Sequence, residues 1–204
     1  VILRWARGLF EPNRGDWFFT LSGRRQWVRA PNVEDIVLED IAEPLAKLCR
    51  FNGQCRGFYS VAQHAVLVSY LVPPHLAFDG LNHDDAEGYL GDVIRPVKAE
   101  LRRYKNLERI WEPAIAQRLG LRYPMPAEVK KADLLALAWE RRDLAPWCVP
   151  ESNPTAWRWK MDELAVGTVG PEYPPIVPLG WQDARDAFLA RFHELNHERG
   201  KVAA

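Results

Sequence analysis

Helical periodicity is what most limits the folds open to this chain. Over residues 98–120, Leu101, Tyr104, Leu107, Trp111, Ile115 and Leu119 recur every three or four positions, the spacing of one face of an α-helix. The same period returns in Leu38, Ile41, Ala42, Leu45 and Leu48, and in Val61, Val68 and Leu71, which share a face with His64. Another helix is expected to begin at Pro126 and run to about Leu144, with Val129, Ala132, Leu135 and Trp139 inward. Residues 181–199 read as a closing helix. Strand-like runs are confined to residues 17–21 and 26–29, around a Ser22-Gly23 turn signal. The chain reads as mainly α, a helical bundle with a small N-terminal β-hairpin.

Caps and breakers refine the outline. Ser60 is placed to cap the helix over residues 59–71, and "VPPH" ends it. A third helix is expected to start between Leu76 and Gly80, run unbroken to Tyr89 and stop at Gly91. Pro44 and Pro113 fall inside helical patterns, so a kink or a helix boundary is expected near each. "PWCVPESNP" breaks the chain, and residues 153–180, rich in proline and tryptophan, are expected to form an ordered loop over the core. The organisation is one domain over residues 1–204: a hairpin and extended arm to 36, a helical core over 37–145, and a loop and final helix over 146–204.

Composition excludes several classes. Lysine plus arginine equals aspartate plus glutamate, 27 against 27, so no global field draws the chain to nucleic acid or anionic membrane. No apolar run is long enough to cross a bilayer, and "VILRWARGLF" lacks the pattern of a signal peptide. Cys49, Cys55 and Cys148 are odd in number and show no CxxC spacing. Free thiols in a reducing cytoplasm are expected rather than a disulfide frame.

The chemistry gathers around "LNHDDAEGYLGD", residues 81–92. His83 is followed by Asp84, and His64 lies nineteen residues earlier on the preceding helix. Asp133, in "VKKADLLALAWE", sits mid-helix among apolar neighbours. A carboxylate there must be paired or hold a metal, because burying a bare charge is costly. Two neutral imidazoles and two carboxylates would balance one divalent ion and leave positions open for chemistry. A simpler reading of Asp133 is an ion pair with Lys130 or Lys131.

These residues, as His64, His83-Asp84 and Asp133, resemble the signature of the HD-domain phosphohydrolases. "KLCRF", "YSVAQHAVLVS", "NHDDAEGYLGDVIRPVK", "YKNLE" and "VKKADLL" follow in the order seen in the bacterial 5'-deoxynucleotidases of that superfamily and in phage-type HD dATP triphosphohydrolases. The resemblance runs from about Leu38 to Asp143. It implies an HD-domain bundle with one divalent ion (manganese, cobalt, iron, nickel, magnesium or zinc) held by His64, His83, Asp84 and Asp133. It implies that Glu87, taken to share a helix face with the dyad, orients or deprotonates a water. Asp92 would serve the leaving oxygen or a ribose hydroxyl. Arg50 and Lys98 would meet phosphate, with Tyr104 and Lys105 nearby, and Trp27 or Phe51 would stack on the base. Arg50 and Lys98 also read as ordinary structural charge, Trp27 as packing, and Asp85 as solvated or supporting. Departures are Gln54, Asn82 and Asp85, which stand where the relatives carry histidine, an apolar residue and a small residue. The gap between "PVK" and "YKNLE" is also shorter here.

The resemblance implies a nucleotide substrate, losing phosphate from a monophosphate or triphosphate from a deoxynucleoside triphosphate. A non-catalytic nucleotide-binding module and a cyclic-nucleotide phosphodiesterase are the alternatives. Homo-oligomers occur among such relatives, so self-association is possible. A separate competitor is "HELNH", His193 to His197, whose letters fit the HExxH zinc motif; a solvated face of the last helix is the reading preferred there.

Overall fold

The computed structural model of the protein describes residues 14–145 and 173–202. Its order is a hairpin, β1 (Trp17–Phe19) and β2 (Arg25–Trp27), then eight helices: α1 (Glu39–Lys47), α2 (Val61–Leu71), α3 (Ala77–Leu81), α4 (Glu87–Leu90), α5 (Arg95–Glu100), α6 (Arg102–Leu119), α7 (Ala127–Leu144) and α8 (Trp181–Val202). Short 3-10 turns occupy Val33–Asp35, Arg50–Gly53 and Pro74–Leu76. Helix α2 is the hub, packing on α1, α3, α7 and α8. Its residues Val61, Ala62, Ala65 and Val68 are fully buried, and His64 lies among them. Ser60 caps it as expected, accepting from the Gln63 amide at 3.1 Å. Helix α8 lies across α1, α2 and α3, with Phe188 fully buried.

The hairpin forms where expected, antiparallel with Trp17 opposite Trp27. It is pinned at two points. At the turn, Ser22 donates its amide (2.8 Å) and hydroxyl (2.7 Å) to buried Asp40 on α1. At the other end, the Trp111 indole donates to the Val28 carbonyl at 3.0 Å. The Trp111 ring is stacked by Phe18 on one side and Tyr89 on the other.

Three expectations need correction. The helix expected over residues 76–89 is two short helices, α3 and α4, joined by a turn through residues 82–86. The run Asn82-His83-Asp84-Asp85 is poor in helix propensity, and Asn82 turns its side chain back to the Phe78 carbonyl at 2.8 Å. Pro113 does not divide its helix: α6 is continuous, and the break falls at Leu101 instead. The carbonyl that Pro113 leaves free is that of Arg109, at an exposed position where water can satisfy it. Leu101 is 42% exposed, so no packing draws the start of that stripe inward. Pro44 likewise lies within α1 rather than at its boundary. Of the loop over residues 153–180, only residues from 173 onward are described. These are tied down: Gln63 bridges the Val177 carbonyl and the Leu179 amide, and the Trp139 indole donates to the Pro174 carbonyl.

Gly88 sets how close α4 approaches α1. A Cβ there would lie 3.3 Å from the Ile41 carbonyl oxygen and 3.4 Å from its Cα. Gly91, at φ +84°, then ends α4 and turns the chain toward Asp92.

Trp111 joins hairpin, α4 and α6 through one ring. Trp111→Ala should cost about 3–5 kcal/mol in chemical denaturation. A loss below about 1 kcal/mol, within the ordinary spread of point mutations, would mean that the ring does not clamp the hairpin.

Candidate metal centre

The turn between α3 and α4 gives the dyad its aim. His83 and Asp84 stand in the turn between the two helices rather than on a continuous helix. In the turn, His83 Nε2 lies 3.1 Å from Asp84 Oδ2. From α2, His64 Nε2 reaches 3.3 Å from His83 Nε2 and 3.6 Å from Asp84 Oδ2. From α7, Asp133 Oδ1 stands 3.4 Å from His64 Nε2. His64, His83 and Asp133 form a group able to hold a metal ion, and Asp84 closes on the same point. It follows that Glu87, the first residue of α4, does not share a helix face with the dyad as expected.

The hydrogen bonds show what these donors need. His83 Nδ1 lies 2.8 Å from the Gly80 carbonyl, which only accepts; Nδ1 therefore carries the proton and Nε2 offers a lone pair. His64 Nδ1 lies 2.6 Å from Glu140 Oε1, and Glu140 also accepts from Arg50 Nη2 at 3.1 Å. An ionised carboxylate there likewise keeps the His64 proton on Nδ1. Two imidazole nitrogens and two carboxylates thus lie close together, and three of these residues, His64, His83 and Asp133, could hold a metal ion. Donors about 2.1 Å from a shared ion lie about 3.0 Å apart in an octahedral set and about 3.4 Å in a tetrahedral one. The separations of 3.1, 3.3 and 3.4 Å fall in that range, while the 3.6 Å between His64 and Asp84 lies just outside it.

Charge points the same way. Burial and Arg50 act to lower the His64 pKa, but Glu140 and Asp133 outweigh them and raise it to about 9. Burial acts to raise Asp84, yet His83 and His64 hold its carboxyl well below the usual carboxylate range. Asp133 is held low in the same way by His64 and His83. In the ion-free chain, then, a proton on His64 supplies the positive charge that the carboxylates demand.

Around this centre lie the other residues singled out from sequence. Arg50 Nη1 stands 3.8 Å from Asp84 Oδ2. Its guanidinium lies over the Phe51 ring at 5.2 Å, so Phe51 is at the site's edge. Glu87 is 7% exposed; Oε1 accepts from Lys98 at 3.3 Å while Oε2 has no hydrogen-bond partner. Lys98 also donates to Glu108 at 2.8 Å and lies over the Tyr104 ring. The Tyr104 hydroxyl donates to the Gly91 carbonyl and so fixes the segment that carries Asp92. Burial, Asp84 and Asp92 push Glu87 well above the usual range. Asp92 is raised too, burial and Asp84 prevailing over Arg50 and Lys98.

Two substrate candidates are not gathered in. No contact joins Trp27 to the cluster among the described residues; its ring is flanked by Arg14 and Arg25. Lys105 has no side-chain partner among the described residues. Asp133 accepts from Lys130 as well as facing His64, so the simpler reading and the metal reading hold together. Asp85 is not solvated but 1% exposed, with neither oxygen hydrogen-bonded and its pKa pushed well up by burial and by Asp84. His193 and His197 are exposed on α8, and Glu194 pairs with Arg191. Cys49 and Cys55 are free; Cys148 lies outside the described residues.

Glu140 was missed from sequence. It stands seven residues after Asp133, two helical turns along the same face of α7. That spacing of two acids in an apolar helix was the signal available.

The fold and the site define a mainly α protein with a His/His/Asp group able to hold a metal ion. No family model matches the chain. It is similar to the uncharacterized protein YfdR of Escherichia coli (strain K12), 39% identical over 185 residues that cover 88% of this chain and 96% of that protein. It is also similar to the uncharacterized protein RCAP_rcc00048 of Rhodobacter capsulatus, 34% identical over 193 residues that cover 88% of this chain and 95% of that one. The chain belongs to the family of these proteins. Among the described residues no helix is long and apolar enough to cross a membrane.

Ion uptake must displace the His64 proton. Below about pH 9 affinity for Mn²⁺, measured by anaerobic calorimetry, should therefore rise about tenfold per pH unit and release a proton. Affinity independent of pH from 6.5 to 8.5 would contradict this assignment.

Proposed function

We propose that the chain is a metal-dependent phosphohydrolase of the HD-domain kind, acting at the 5' phosphate of nucleotides. The observation that carries the reading is the convergence of His64, His83, Asp84 and Asp133 beside Arg50, Lys98, Glu87 and Asp92. A divalent ion held by the first four would supply Lewis acidity and a water acidic enough to attack phosphorus near neutral pH.

The other residues divide the remaining work. Arg50 and Lys98 neutralise phosphoryl oxygens as charge develops on them. Glu87, with one buried oxygen free, is placed to take the proton of the attacking water. Asp92 lies close enough to Asp84 and Glu87 to feel both charges. The three carboxylates cannot all ionise freely, so a proton remains among them for the leaving nucleoside oxygen. Phe51 offers a face for the base.

Two cations, Arg50 and Lys98, suit one phosphate group. Arg24 is turned to Asp35 and Arg25 lies beside the hairpin tryptophans. Arg102 is exposed at the start of α6. The balance favours phosphate release from monophosphates over triphosphate release. Only one metal-capable group is found among the described residues, which disfavours a two-metal phosphodiesterase.

The test is turnover of nucleoside mono- and triphosphates with each divalent metal, products separated by chromatography. Inorganic phosphate from monophosphates is expected, with Asp84→Ala inactive and Glu87→Gln reduced by about 10²–10⁴-fold in kcat. Released triphosphate would make the chain a triphosphohydrolase instead. No turnover despite bound metal would leave a nucleotide-binding module.

A further inference from the structure

We propose that Glu140 is a positioning residue that couples the metal-holding half of the site to the phosphate-holding half. The inference rests on the metal-dependent hydrolase reading above. Glu140 is fully buried on α7, and both of its oxygens are committed to different tasks. Oε1 accepts from His64 Nδ1 at 2.6 Å, while Oε2 accepts from Arg50 Nη2 at 3.1 Å. The Tyr59 hydroxyl is buried alongside.

Each bond has a separate consequence. The first selects the His64 tautomer whose Nε2 lone pair faces His83, Asp84 and Asp133; an outer hydrogen bond of this kind both orients a ligand and raises its basicity. The second holds the guanidinium by one nitrogen only. Arg50 Nε has no hydrogen-bond partner, and Nη1 makes only the 3.8 Å approach to Asp84. Donors are therefore left for a phosphoryl oxygen while the group stays anchored. Arg50 enters from the turn after α1, His64 from α2 and Glu140 from α7, so one carboxylate fixes the relative placement of three elements. Without it, the guanidinium would keep only the Phe51 ring and the longer approach to Asp84, a candidate ligand itself.

The geometry makes glutamine an informative replacement. Both partners are donors, and a carboxylate can accept from both. A Glu140→Gln side chain has one accepting oxygen and one donating amide nitrogen. If the amide nitrogen faces His64, Nδ1 must become the acceptor, the proton moves to Nε2 and a metal ligand is lost. If it faces Arg50, two donors oppose each other and the guanidinium is displaced. Either way one half of the site suffers through a residue that touches neither ion nor phosphate.

The experiment uses the full chain, with Mn²⁺ alone and then inorganic phosphate on the Mn²⁺-loaded protein, both by calorimetry. Glu140→Gln should bind Mn²⁺ about 10–100-fold more weakly or lose phosphate affinity at unchanged Mn²⁺ affinity. Arg50→Met should lose phosphate affinity while keeping Mn²⁺. Full retention of both affinities in Glu140→Gln would overturn the proposal. Independently of how that variant folds, the wild-type chain loaded with Zn²⁺ gives a reading from long-range ¹H–¹⁵N spectra of its histidine rings. His64 protonated at Nδ1 is expected; His64 protonated at Nε2 would overturn the proposal whatever the variants do. A wild-type chain that binds no divalent ion would instead remove the hydrolase reading itself, and this inference with it.

Discussion

Buried negative charge is the constraint around which the molecule is organised. Asp84, Glu87, Asp133 and Glu140 come from three elements, and each is withdrawn to a large degree from water. Carboxylates so placed repel one another and resist desolvation. Arg50 and Lys98 offset part of the charge, and Lys130 reaches Asp133 from the edge. The remainder falls on the histidines, which is why His64 holds a proton so firmly in the ion-free chain. A divalent cation satisfies the same demand while leaving both imidazoles neutral.

The scaffold exists to keep that arrangement in place. Helix α2 supplies His64 from the centre of the core, where the Glu140 carboxylate holds the ring at Nδ1. Helix α7 supplies Asp133 and Glu140 from one face. The turn between α3 and α4 contributes His83 and Asp84, and its exit is set by the close approach of Gly88 to α1. The hairpin stands outside the site. Its Trp111 and Asp40 anchors fix α6 against α1 and α4, and so act on the centre only through the elements that carry it.

Much of this was legible in the sequence, for reasons that differ by residue. Apolar periodicity identified the long helices, because a repeated face has one stable use. Asp133 was legible because a carboxylate in apolar helical surroundings needs a partner, and His64, His83 and Asp84 through their order and spacing. The broken helix at residues 82–86 was missed because periodicity does not register a local contest between Asn and Asp side chains and the backbone. Sequence shows charge and not depth, so it left Asp85 open between a solvated and a supporting role, and burial excludes the first. Trp27 was put forward for its ring alone, and the hairpin docks by Phe18 instead. Glu140 went unread although its spacing from Asp133 carried the signal, since a carboxylate at a helix's far end reads by default as surface.

Relatedness to YfdR and RCAP_rcc00048 spans nearly the whole of each of those proteins. The chemistry rests on the centre alone. The most direct measurement is anomalous diffraction from crystals soaked with Mn²⁺. The account predicts one peak per chain, bounded by His64 Nε2, His83 Nε2, Asp84 and Asp133. A peak at His193 and His197 with none at this point, or no peak at all, would contradict it.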